Sequence, residues 1–258
     1  MQKVKPKKQL GQHFLNDKNI AQKIIDSLDA QYADNILEVG PGMGVLTKSL
    51  LARFGDKLFA AEVDSDSVTY LQEYLPDLNN RLLHEDFLKV DLKKYLNGNV
   101  AIIGNFPYNI SSQIFFKVLD NRDMVTEVVG MLQREVALRI CEPPGSKPYG
   151  ILSVLLQAYY DIQYLFTVSE GVFTPPPNVK SAVIRLTRNK TVKLDCNEKL
   201  FFRVVKAGFN QRRKMLRNSI KSAFKGFSAE NQLLSRRPES LSVAEFVDLT
   251  NFVEANLP

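Results

Sequence analysis

Ile36-Leu37-Glu38-Val39 runs directly into Gly40-Pro41-Gly42-Met43-Gly44, and a helical pattern from Val45 to Leu51 follows without a spacer. An apolar strand that ends in a glycine turn and opens a helix favours a parallel sheet, because the chain must cross back before the next strand begins. The alternation continues. Strands are predicted at Leu58–Val63, Arg81–His84, Val100–Gly104 and Glu127–Leu132, with helical stretches between most of them. Tyr149–Tyr160 reads as a further helix. Two strand-like runs, Ile162–Val168 and Ser181–Leu186, flank Phe173-Thr174-Pro175-Pro176-Pro177 and are expected to pair as an antiparallel edge. The implied class is α/β: a Rossmann-like sheet, mostly parallel with an antiparallel edge strand, covered by helices on both faces.

Composition shifts after Arg188, which places a boundary between a large domain, 1–188, and a small all-helical one, 189–258. In the second, Val205, Phe209, Leu216 and Ile220 fall within about 60° on a helical wheel, with Lys206, Arg213, Arg217 and Lys221 beside them. That pattern predicts one amphipathic basic helix, or two broken near Gly208. Ser242 and Glu245 have the spacing of a capping box and open a last helix through Phe246, Leu249 and Val253.

Charge is unevenly distributed. The net +6 includes +4 from Lys3, Lys5, Lys7 and Lys8, and +9 between Lys199 and Lys225 without one acidic residue; subtracting both leaves −7 for the rest. An acidic body with a basic end suits a polyanion, and nucleic acid is the leading candidate. A run of cations can also be a solvated face, but nine without an acid argue for phosphate contacts by Lys206, Arg212, Arg213, Lys214, Arg217 and Lys221. No apolar run approaches the roughly 20 residues of a membrane span, and no apolar stretch follows the first lysines as in a secretory signal. The expectation is a cytoplasmic monomer. Cys141 and Cys196 stand apart without metal-ligand neighbours, so neither a disulfide framework nor a metal site is expected.

The strand ends carry the chemistry. Glycines at 40 and 42 let backbone approach a ligand, and Glu62, about 20 residues on, is placed to accept hydrogen bonds from ribose hydroxyls. Asp86 follows strand three, where it can accept from the amine of a cofactor adenine. Strand four delivers Asn105-Phe106-Pro107-Tyr108. The exocyclic amine of adenine is a poor nucleophile because its lone pair is delocalised; the Asn105 side-chain oxygen and the Phe106 carbonyl can each accept one amine hydrogen and redirect it, with Pro107 fixing the turn and Tyr108 stacking on the base. A dinucleotide oxidoreductase shares the glycine loop and the ribose acid, but has no use for Asn105 to Tyr108. S-adenosylmethionine accounts for all four strand ends, and the sheet is then that of a class I methyltransferase.

Five segments together resemble the bacterial small-subunit ribosomal RNA adenine dimethyltransferase family: Gly11-Gln12-His13-Phe14-Leu15, Leu37-Glu38-Val39-Gly40-Pro41-Gly42, Asn105-Phe106-Pro107-Tyr108-Asn109, Phe173 to Val183, and Phe209-Asn210-Gln211-Arg212-Arg213-Lys214. The resemblance covers almost the whole chain in the family's order. It implies transfer of four methyl groups to the N6 amines of two adjacent adenosines near the 3′ end of 16S ribosomal RNA, in a small-subunit precursor. It also implies that residues 1–20 cover the cofactor through His13 and Leu15, with Gly40, Glu62, Asp86 and Asn105 lining its site. Asparagine is common in the family where His13 stands, and leucine or isoleucine where Phe106 stands.

Neither His13 nor His84 is needed as a base, since nitrogen attack on a sulfonium precedes loss of the proton. Tyr108 and Phe173 are expected to sandwich a flipped adenine, the alternative for Phe173 being edge-strand packing. Two rivals share parts of the pattern: a large-subunit adenine methyltransferase of the macrolide-resistance type, and a ribosome-assembly or nucleic-acid-binding factor without turnover.

Overall fold

The computed structural model describes residues 4–257; Lys3 of the basic N-terminal run lies outside them. In chain order the strands and helices are β1 (Phe14–Leu15), α1 (Lys18–Asp26), β2 (Asn35–Val39), α2 (Thr47–Phe54), β3 (Leu58–Ala61), α3 (Ser65–Tyr74), β4 (Leu82–Leu83), α4 (Leu92–Tyr95), β5 (Val100–Asn105), α5 (Ser111–Asp120), β6 (Val125–Gln133), α6 (Arg134–Cys141), α7 (Ile151–Gln157), β7 (Tyr160–Val168), β8 (Phe173–Thr174), β9 (Ser181–Arg188), α8 (Glu198–Asn210), α9 (Leu216–Ala223) and α10 (Val243–Ala255).

The main sheet has the order β4-β3-β2-β5-β6-β9-β7. β4 through β6 run parallel, and β9 joins β6 antiparallel. Strands buried on both faces explain the apolar runs: residues 36–39 of β2 and 100–104 of β5 are all buried. β2 lies between β3 and β5, so the strand order reverses there and leaves a crevice at the carboxyl ends of β2 and β5. Glu127 on β6 is buried and accepts from the backbone N–H of Asp29 (3.1 Å) and Ala30 (2.7 Å), which ties down the turn after α1.

A two-stranded sheet escapes the sequence reading. β1 pairs antiparallel with β8, matching Phe14 with Thr174 and Leu15 with Phe173. Two-residue strands have no periodicity to detect, and their partner lies far along the chain. The predicted helix Tyr149–Tyr160 is shorter, α7, because Tyr160 already belongs to β7.

The described chain divides into two compact units, 4–137 with 162–188, and 138–161 with 189–257. A single boundary after Arg188 therefore does not describe the division. Residues 138–161 join the second unit because α7 packs on α8 and α10, and Tyr149 meets Phe209 edge-on at 6.2 Å between ring centroids. In that unit the basic stretch is two helices, with the break at 211–215 and not at Gly208. Gly208 stays inside α8, where a Cβ would lie 3.0 Å from Leu216 Cδ2 and 3.3 Å from Pro238 Cβ, so its lack of a side chain permits close packing. α10 opens with the expected capping box, Ser242 Oγ accepting from Glu245 N–H and the Glu245 carboxylate from Ser242 N–H.

Candidate active site

One cavity at the crevice is lined by the glycine loop (Gly40 to Met43), by Glu38 and Glu62, by 105–108 after β5, and by residues 10–15 of the N-terminal segment. Nine residues singled out in the sequence, His13, Leu15, Gly40, Gly42, Glu62, Asn105, Phe106, Pro107 and Tyr108, meet there. Gly40 and Gly42 have φ of 69° and 55°, left-handed values that favour glycine. A Cβ on Gly42 would lie 2.9 Å from the Phe14 ring, so the loop and the N-terminal segment approach as closely as glycine allows.

Glu62 follows β3 and is buried. Its Oε1 accepts from the N–H of Val63 and Asp64, both 2.9 Å, and its Oε2 from Gly42 N–H at 3.0 Å. Burial raises its carboxyl above the ordinary value, opposed by these three hydrogen bonds. Glu38 is the lining residue that the sequence reading passed over. It is 1 % exposed, its Oε2 has no hydrogen-bond partner, and burial pushes its carboxyl up to about 8, with the neighbouring Glu62 adding to the rise. A glutamate inside an apolar strand was the available signal.

Asn105 donates its side-chain N–H to the His13 carbonyl at 2.9 Å, which orients the amide and leaves Oδ1 as its acceptor. The hydroxyls of Tyr108 and Ser181 are hydrogen-bonded, and burial raises the phenol. The His13 ring lies 5.2 Å from the Tyr108 ring with planes inclined by 32°, and its Nδ1 is 2.8 Å from the Pro175 carbonyl. A carbonyl only accepts, so Nδ1 carries the proton.

The N-terminal segment is fastened from the other side. Lys7 Nζ bonds Asp64 and lies 2.8 Å from Asp66, while Gln12 donates to Asp64 at 3.2 Å. Burial works against ionisation of Asp64, but hydrogen bonds from Lys7, Gln12, Ser67 and the Asp66 N–H outweigh it and hold its carboxyl below the usual range.

Two expected residues are not brought to the cavity lining. Phe173 is 3 % exposed and packs in the core with Leu15, Met131 and Val183, because β8 pairs with β1 and turns the ring inward; the packing alternative describes it, and the sandwich with Tyr108 does not. Asp86 lies past β4, where its Oδ1 accepts from Leu88 N–H at 3.0 Å, and it stands outside the lining.

Among the cations of the second unit, Arg213 and Lys214 are exposed on the 211–215 turn, and Lys206 is exposed on α8. Arg212 is half-buried and donates to the Lys147 carbonyl; Arg217 is half-buried; Lys221 pairs with Glu230 at 3.1 Å. Among the described residues no group of three His, Cys, Asp or Glu could hold a metal ion, and no helix is long and apolar enough to cross a membrane.

A family model described as ribosomal RNA adenine dimethylase matches residues 3–254. The chain belongs to that family. Among curated dimethylase relatives, proteins from Parabacteroides distasonis and Cytophaga hutchinsonii, both named ribosomal RNA small subunit methyltransferase A, are each 56 % identical to it. The alignments cover 100 % and 98 % of this chain, and 97 % and 99 % of theirs. Solved structures share the fold of this dimethylase. A dimethyladenosine transferase from Plasmodium falciparum superposes with a TM-score of 0.77 at 23 % identity, covering 95 % of this chain and 98 % of that one. The 23S rRNA methyltransferase ErmE gives 0.66 at 23 % identity, covering 91 % and 99 %.

Proposed function

We propose that this dimethylase converts two adjacent adenosines near the 3′ end of 16S ribosomal RNA to N6,N6-dimethyladenosine, acting as a cytoplasmic monomer on a precursor of the small ribosomal subunit. Its family uses S-adenosylmethionine as methyl donor, and relatives named for the small subunit match it over the full chain, which favours that substrate over the large subunit. The observation that carries the chemistry is the cavity lining: two carboxyls, Glu38 and Glu62, no lysine or arginine, and Asn105 to Tyr108 at one side. Such a lining offers acceptors to the ammonium and ribose hydroxyls of a cationic cofactor, and gives the pyrophosphate of a dinucleotide no cation to pair with.

When bound, S-adenosylmethionine supplies an activated methyl group. The chain's residues do the rest by placement. Glu38, in the same lining, would offer its carboxyl to the bound cofactor. Glu62 Oε2 retains an acceptor site for the ribose beside its bond from Gly42, Asp86 offers Oδ2 to the cofactor adenine, and Leu15 and His13 cover the site. Asn105 Oδ1 and the Phe106 carbonyl accept the two hydrogens of the substrate amine, while Tyr108, held by Ser181, stacks on the base. The proton leaves to water after transfer, and no side-chain base is required. Arg213 and Lys214 lead the phosphate contacts, with Lys206, Arg212, Arg217 and Lys221 flanking them. Exposed large apolar side chains such as Tyr32, Val179 and Val192 are scattered singly in sequence, which supports a monomer.

The test is incubation with labelled S-adenosylmethionine and undermethylated small subunits, with large subunits in parallel, and mapping of modified nucleotides by mass spectrometry. Adjacent dimethyladenosines in small-subunit RNA are expected. Label confined to large-subunit RNA would select the resistance-type reading, and RNA binding without label a non-catalytic assembly factor.

A further inference from the structure

Gly104 and Gly130 are register partners in the parallel β5–β6 ladder, one step before its last pair, Asn105 with Met131. Neither has a positive φ, so backbone conformation does not require glycine at either place. Glycine inside a strand weakens it and marks a close approach. At Gly130 the approaching group is the Phe106 ring; at Gly104 the Val39 carbonyl comes nearest and the ring next. A Cβ on Gly130 would lie 2.4 Å from Phe106 Cε2, 2.9 Å from Cδ2 and 3.1 Å from Cζ. One on Gly104 would lie 2.5 Å from the Val39 carbonyl oxygen and 3.1 Å from Phe106 Cε1. The ring is 1 % exposed and is closed off on another side by Phe115, edge-on at 5.9 Å. The backbone of the same residue is fixed as well, with Phe106 N–H donating to the Met131 carbonyl at 2.9 Å.

We infer that the Gly104–Gly130 pair is a positioning device for the methyl-accepting turn: it seats the Phe106 ring against the sheet, and so sets where the Phe106 carbonyl and the Asn105 amide meet the substrate amine. The inference rests on the reading of Asn105 to Tyr108 given under the proposed function, and adds residues that touch neither substrate nor cofactor. Glycine at 130 lets the ring lie directly on the face of the sheet; a Cβ there lifts the ring and the carbonyl with it. A leucine at 106 lacks Cε2 and Cζ, two of the three ring atoms that a new methyl at 130 would meet, so the two positions are size-coupled.

The experiment measures turnover, cofactor KM, melting temperature and the ratio of mono- to dimethyladenosine for the wild type, Gly130→Ala, Phe106→Leu and the double variant on undermethylated small subunits. Gly130→Ala is expected to lower turnover by about tenfold or more, the scale set by a small misplacement of a reacting group, with cofactor KM within about twofold. Monomethyladenosine should accumulate, since the second transfer needs the amine reoriented with one hydrogen fewer to hold it. Phe106→Leu, which adds no atoms and leaves a gap, should lower turnover by about fivefold, and the double variant should return to within about threefold of wild type. Should Gly130→Ala fail to fold, Phe106→Leu and the double variant still carry the test through their reciprocal rescue. Single variants that melt earlier but keep wild-type turnover and product ratio would reduce the pair to core packing and overturn the inference, as would a stable double variant without recovered turnover. A wild type that makes no dimethyladenosine would instead overturn the reading of the site.

Discussion

Asn105 and Glu38 line the same cavity and meet opposite needs. Asn105 spends its N–H on the His13 carbonyl, so Oδ1 is presented as an acceptor before any substrate arrives. Asn105→Ala should retain RNA binding and lose turnover by roughly 10²-fold, the scale seen when a preorganised hydrogen-bonding group is removed; methyl incorporation beside a filter-binding assay checks it, and near-normal turnover would discard the role. Glu38 is the costly residue. Its carboxyl, pushed from 4.5 to about 8, keeps its proton across a window in which the unfolded chain has lost it. The unfolded state binds fewer protons there, so stability falls as pH rises from about 4.5 to about 8, by on the order of a few kcal/mol. Glu38→Gln has no proton to lose and should gain on wild type through that window. Melting curves at pH 5 and pH 8 decide it: an unchanged difference between the two proteins would show that Glu38 is ionised in the fold. Motif spacing pointed to Asn105 and Glu62, since strand-end polar residues stand out against apolar runs. Glu38 stayed hidden because its burial depends on neighbouring strands.

The elements show where periodicity is a good guide and where it stops. Apolar positions on α8 and α9 keep a common helical phase, which is why Val205, Leu216 and Ile220 are all buried. The same phase hides the turn between the helices, and that turn carries Arg213 and Lys214 into solvent. Arg213→Ala combined with Lys214→Ala should weaken RNA binding, lower the slope of log affinity against log salt by about 1–2, and leave cofactor binding unchanged. Titrations at several salt concentrations test this, and an unchanged slope would remove the turn from the phosphate contacts. Phe173 illustrates the other limit. An aromatic residue before three prolines invited a stacking role, whereas pairing of β8 with β1 turned it into core.

At the scale of the molecule, the two units do not follow the chain. Residues 138–161 leave the sheet unit and 162–188 return to it. A fragment ending at Arg188 keeps α7 but loses α8 and α10, against which α7 packs, and Tyr149 loses Phe209. Such a fragment should melt earlier than the full chain and bind a hydrophobic dye, where a cut at a true domain boundary would leave both properties of the sheet unit intact. What could be read without coordinates was local: the strand–glycine–helix opening, the parallel core strands, the strand-end polar groups and the basic run, because each is a pattern within a few neighbouring residues. The rest was decided by groups far apart in sequence. The seat for Phe106 on Gly104 and Gly130, the Lys7–Asp64 fastening, the inward turn of Phe173 and the burial of Glu38 exist only once strands and segments are brought side by side, and no single stretch of chain carries a record of its distant neighbour.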